Sequence, residues 1–257
     1  MTEWTPYPYA GEYVFDTDRV RACWPRLHAG DAEPCPAEPA VLGAWALYHS
    51  GEYQKAAAVG LALGGAAVHA AYQATAVHAA YVERHAQTRH ALLRLVADRA
   101  TAHAQQHPRD PAGWYWQAYA LGHHSQGISV AQALAQGLGG RIRLALQTAI
   151  ELEPAHADAR FALGTYHAEV IDKVGTLIGG MTHGASKEDG LRMFREGLAL
   201  HPGSVFGMLE YAGALLMLEG ESQHAQATRL YEQAAACTPL DATERIGVEL
   251  AQAALRE

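Results

Sequence analysis

From about residue 38 to residue 236, apolar positions recur with the 3.6-residue period of a helix, and prolines punctuate the recurrence. Counting back five, eight and twelve residues from Pro239 gives Ala234, Tyr231 and Ala227; from Pro202 the same offsets give Gly197, Phe194 and Gly190. From Pro154 they give Ala149, Leu146 and Ile142, and from Pro108 they give His103, Ala100 and Val96. Forward of the prolines, offsets of six, nine, ten and thirteen give Trp114, Gln117, Ala118 and Leu121, then Arg160, Leu163, Gly164 and His167, then Met208, Tyr211, Ala212 and Leu215. A small residue lets two antiparallel helices approach, and large neighbours fill the space on either side. Proline then stiffens the turn into the next helix.

This spacing predicts helical pairs at about 38–63, 66–106, 111–152, 156–199 and 204–236. The proline-rich residues 1–36 read as an irregular segment with one short helix near Thr17–Leu27. A last helix, ATERIGVELAQAALRE, is expected to start behind Asp241 as its cap, with Glu244 placed for a capping box. The proline spacing is long because inserts lie near 125–140 and 173–187, inside the pairs and not between them.

The stretch ALYHSGEYQKAAAVGLAL, with Gly51, Tyr53 and Ala56 at the inter-helix turn, resembles the tetratricopeptide repeat (TPR). The second insert with the following LRMFREGLALHPGS is similar to the divergent group holding the TRAP-transporter T-component (TatT) and the regulators of microtubule dynamics. The resemblance implies an all-α TPR-like solenoid of about five helix pairs, spanning 37–257 and closed by a C-terminal capping helix. Such domains are interaction scaffolds.

Composition agrees with a buried core: 49% of the 257 residues are hydrophobic and only 18% charged. The formal net charge of -8 argues against nucleic acid, which needs clustered Lys and Arg. No window is long and apolar enough to span a bilayer, and the start is acidic and proline-containing, so a cytoplasmic protein is expected. Cys23, Cys35 and Cys237 stand at no metal or redox spacing and read as ordinary thiols.

Site signatures are sparse. GMTHGASKED and GLGGR lack the phosphate-cradling glycine patterns, and neither G-x-S-x-G nor H-E-x-x-H occurs. His103 and His107 stand one helical turn apart, a spacing that can chelate a metal, but no nearby third ligand is expected and they read as an exposed helix end. Glu169 and Lys173 read as a surface ion pair. The expectation is a non-enzyme without cofactor or metal.

The informative stripe is the one expected on the inner face, at offsets of seven, eleven and fifteen from each proline. It comprises Tyr115, Tyr119 and His123, then Phe161, Thr165 and Glu169, then Leu209, Gly213 and Met217, with Val41, Trp45 and His49 as equivalents in the first repeat. A face so apolar calls for a cover. A protein or peptide partner would provide one, with His123, Glu169 and Asp172 fixing orientation. A small apolar ligand is the alternative, and the chain's own N-terminal segment and inserts would also serve. The length and apolar character of the inserts favour partial self-filling. None of the twelve stripe positions is Lys, Arg or Asn, which argues against a clamp for acidic tails.

Overall fold

Pro108, Pro154, Pro202 and Pro239 all fall between helices in the structure, a computed structural model that describes residues 4–256. The described residues are all-helical, with no strand among them. None of the helices is long and apolar enough to cross a membrane.

The chain divides into two compact units. The first is built from α1 (Thr17–Leu27), α2 (Pro39–His49), α3 (Tyr53–Leu63), α4 (Ala67–Val77), α5 (Ala86–Gln106) and α6 (Pro111–Gln126), and it also takes in residues 240–243. Local chemistry sets the helix starts. Asp16 caps α1 by accepting from the Arg19 amide, and Asp110 caps α6 by accepting from the Ala112 amide. Pro39 and Pro111 occupy first-turn positions that need no amide hydrogen. The N-terminal segment is part of this unit's core: Tyr7, Phe15, Val20 and Trp24 are buried.

The second unit holds α7 (Val130–Ala135), α8 (Leu138–Leu152), α9 (Ala157–Val174), α10 (Thr176–His183), α11 (Lys187–Leu200), α12 (Val205–Glu219), α13 (His224–Ala235) and most of α14 (Ala242–Ala254), with residues 29–32. Small and large residues mesh here in antiparallel order. Gly190 lies against His167, Gly164 against the Phe194 ring, and Gly197 against the Phe161 ring. A Cβ at Gly164 would come within 2.7 Å of Phe194, so the close approach of α9 and α11 requires glycine there. Gly207 at the start of α12 also lies against the Phe161 ring. α14 closes this core with Val248 and Ala251.

Both inserts are themselves helical. Ser129 and Gln132 form a complete capping box at α7. α10 ends at Gly184, whose backbone is left-handed. Leu177, Ile178 and Met181 on α10 are exposed.

Candidate functional site

The stripe expected to line an inner surface is placed unevenly. On α2, Trp45 and His49 are only 1% exposed. The chain's own N-terminal segment covers them. Trp24 meets Trp45 edge-on at 5.7 Å between ring centroids, His28 meets it at 4.6 Å, and Phe15 lies 5.7 Å from His49. Beneath these rings His49 Nδ1 is 2.7 Å from Asp241 Oδ2, while His49 Nε2 is 3.3 Å from His28 Nε2. α1 thus gives the apolar face of α2 its cover, and Trp45 and His49 are core residues here. Val41 is half-buried.

On α6, Tyr115 is buried against Trp116, whereas Tyr119 and His123 are half-buried with ring centroids 4.5 Å apart and planes tilted by 51°, and Tyr81 is edge-on to His123. In the second unit Phe161 is core. Thr165 and Glu169 remain partly open one and two turns further along α9. The Thr165 hydroxyl donates to Glu210 Oε2 at 2.8 Å, which sets this face of α9 beside the face of α12 that carries Glu210, Gly213 and Met217. Burial pushes the Glu210 carboxyl up to about 7, and the Glu169 charge adds to the rise. Glu169 accepts from Lys173 Nζ at 3.1 Å, the surface pair expected from their spacing. Leu209 is half-buried against the core, and Met217 is 47% exposed. Asp172 is exposed.

A third grouping lies where α4, α5 and α6 meet in the first unit. His69 comes from α4, His103 from the last turn of α5, and Asp110 from the cap of α6. Asp110 Oδ2 is 2.9 Å from His69 Nε2 and 2.8 Å from His103 Nε2; the other nitrogen of His69, Nδ1, is 2.9 Å from Glu33 Oε1. Gly113 makes the arrangement possible, because any Cβ there would sit 2.8 Å from the His103 ring and 3.0 Å from the Ala104 amide. Burial opposes a charge on His69, but hydrogen bonds to Asp110 and Glu33 outweigh it and push the imidazole up to about 10. Burial likewise works against the Asp110 carboxylate, and the bonds from His103 and His69 overcome it, holding Asp110 far below the usual carboxylate range.

No protein-family model matches this chain, and no curated protein does. Assignment of its sites therefore stands on its own residues and geometry.

The pair singled out in sequence, His103 and His107, is not the grouping the fold assembles. His107 is exposed beyond the helix end with its ring 4.8 Å from that of His103, while the His103 Nε2 atom turns to Asp110, beside His69 from a further helix. Sequence reasoning passed over Glu33, His69, Asp110 and Glu210. Asp110 before Pro111 was legible as a helix start. Nothing local marks His69, because its role depends on which face of α4 turns toward α6.

Proposed function

We propose that the chain is a non-enzymatic interaction scaffold, a TPR-like α-solenoid of about five helix pairs with α14 as its capping helix, that binds a protein segment on the face shared by α9 and α12. The antiparallel mesh of α9 with α11 supports the repeat reading. The observation that carries the binding reading is the Thr165–Glu210 bond, which lines up Thr165 and Glu169 with Gly213 and the exposed Met217 as a face that joins an apolar side chain to carboxyl groups.

That chemistry suits a segment presenting an apolar side chain beside a Lys or Arg. Glu169 and Glu210 offer acceptors, none of the stripe positions is Lys, Arg or Asn, and the whole chain carries a net charge of -8. Gly213 leaves room for a partner backbone, with the nearest atom to a Cβ there, the Tyr231 hydroxyl, 3.9 Å away. Tyr119 and His123 form a second, aromatic ledge in the first unit.

Selection of random peptides on the immobilised full-length chain tests this reading. Recovered peptides are expected to pair an apolar residue with a basic one, and Met217→Glu and Glu169→Lys are expected to weaken them by about tenfold or more. Leu177→Glu, on α10, is expected to leave them unchanged. Peptides that bind both face variants as well as the parent chain would place the surface elsewhere. A ligand of defined mass retained in native mass spectrometry would favour the small-molecule alternative.

A further inference from the structure

The grouping at the meeting point of α4, α5 and α6 has features that a helix-end ion pair does not need. Three donor atoms from three helices, His69 Nε2, His103 Nε2 and Asp110 Oδ2, lie within 4.8 Å of one another. Both imidazoles aim the same nitrogen, Nε2, at one carboxylate oxygen. Behind His69 stands Glu33, bonded to Nδ1, and a carboxylate in that position fixes the ring and leaves Nε2 as the donor, as it does for metal-bound histidines generally. The side chains of His69, Glu33 and His103 are only about a tenth exposed and that of Asp110 is 26% exposed, so the donors are held firmly while one side admits an ion.

We propose that His69, His103 and Asp110 form a binding site for a divalent transition-metal ion of the zinc class, with Glu33 orienting His69 and solvent completing the coordination. Zinc bonds of about 2.0–2.1 Å in a tetrahedron place donors about 3.3 Å apart, so each histidine moves back from Asp110 by about half an ångström while the two Nε2 atoms, which lie within 4.8 Å of each other, settle to that spacing. Two imidazoles with one carboxylate select zinc, cobalt or their neighbours over magnesium and calcium, which take oxygen donors. Bound there, the ion would displace the Nε2 protons of the two imidazoles to solvent and replace their hydrogen bonds with coordinate bonds joining α4, α5 and α6, a structural clasp within the first unit.

The chelator-stripped full-length chain, titrated with zinc chloride in a calorimeter and with cobalt chloride in an absorption spectrometer, tests the site. One ion per chain with a dissociation constant in about the micromolar range or tighter is expected, and a rise in thermal midpoint on zinc addition. His103→Ala and Asp110→Asn are expected to weaken binding by at least about tenfold. Asp110→Asn keeps an acceptor for the α6 cap. His107→Ala is expected to bind as the parent does.

A readout on the parent chain avoids dependence on the folding of variants. Zinc should shift the imidazole 15N resonances of His69 and His103 at Nε2 by much more than those of His107, whose ring lies 4.8 Å from that of His103. Absence of a one-to-one site below about 100 micromolar, unchanged binding in both His103→Ala and Asp110→Asn, or loss of binding in His107→Ala would each overturn the assigned donor set.

Discussion

His49 Nδ1 sits 2.7 Å from Asp241 Oδ2, a bond between two buried side chains 192 residues apart in the chain. Next to it the Thr243 hydroxyl donates to the Tyr48 hydroxyl at 3.0 Å, and the Tyr7 hydroxyl donates to the Ala242 carbonyl at 3.0 Å. Residues 240–243 are therefore stitched into the first unit by side chains from its first and second helices' neighbourhood. Asp241→Ala is expected to destabilise the fold by about 3 kcal/mol, because it strips a buried imidazole of its carboxylate partner. Asp241→Asn, which keeps an acceptor, should cost about 1 kcal/mol. Urea denaturation of the three chains checks the order; equal midpoints would show that the bond contributes nothing.

Phe161 occupies a slot with no spare room. Its ring carbons lie where a Cβ on Gly207 or Gly197 would have to go, and the ring is itself 3% exposed and unable to swing aside. Gly207→Ala is expected to cost about 1–3 kcal/mol through overpacking. Pairing it with Phe161→Leu should recover part of the loss. A double-variant cycle on melting temperature reads this coupling, and strict additivity would mean that the two positions do not compete for space.

Glu210 makes the second unit lose stability as pH rises from acidic to neutral. Its folded carboxyl titrates near 7 while an unfolded glutamate loses its proton near 4.3, so between those values the unfolded chain binds fewer protons and stability falls as pH rises. Glu210→Gln removes this contribution and still offers an oxygen to Thr165. Relative to the parent, the variant should gain about 1–2 kcal/mol between pH 4.5 and pH 8, a figure reduced from the full shift because Glu210 keeps some solvent contact. Denaturant midpoints at the two pH values measure it, and a constant difference would refute the assignment.

Glu83 has the opposite sign. Burial works against its charge, but the His85 amide at 2.9 Å, the Thr5 hydroxyl at 2.8 Å and the Thr5 amide at 3.2 Å all donate to the carboxylate and hold it well below the usual range. The unfolded chain takes up this proton first as pH falls, so the stabilisation is full above about pH 5 and is lost toward pH 2. Glu83→Gln is expected to cost on the order of 2 kcal/mol at pH 7 and visibly less at pH 3. Stability measured at both values decides the matter; an equal cost would place the carboxylate's contribution in packing and not in charge.

Helix positions could be read from the chain because their signals are local. The Thr17–Leu27 helix, the four proline junctions and the helices between 38 and 236 follow from caps, prolines and a period that repeats within one or two turns, whereas the pair expected over 111–152 is divided, with α6 in the first unit and α8 in the second. The Gly190–Phe194–Gly197 stripe even announced how α11 would meet α9, since a small residue needs a large one opposite. Exposure was not local in this sense. His49 and Met217 occupy equivalent places in the pattern, yet the N-terminal segment brings Phe15 and His28 onto the first, while the second is left 47% exposed.

What the amino-acid order determined by itself is where helices begin, end and nest, because those choices are made by backbone sterics and by neighbours a few residues away. Only tertiary structure decided which polar groups meet. His69 reaches Asp110 across 41 residues, and His49 reaches Asp241 across 192. A buried imidazole or carboxylate must find its partner wherever in the chain that partner lies, and helical periodicity specifies the face on which a side chain projects without specifying what waits on the other side.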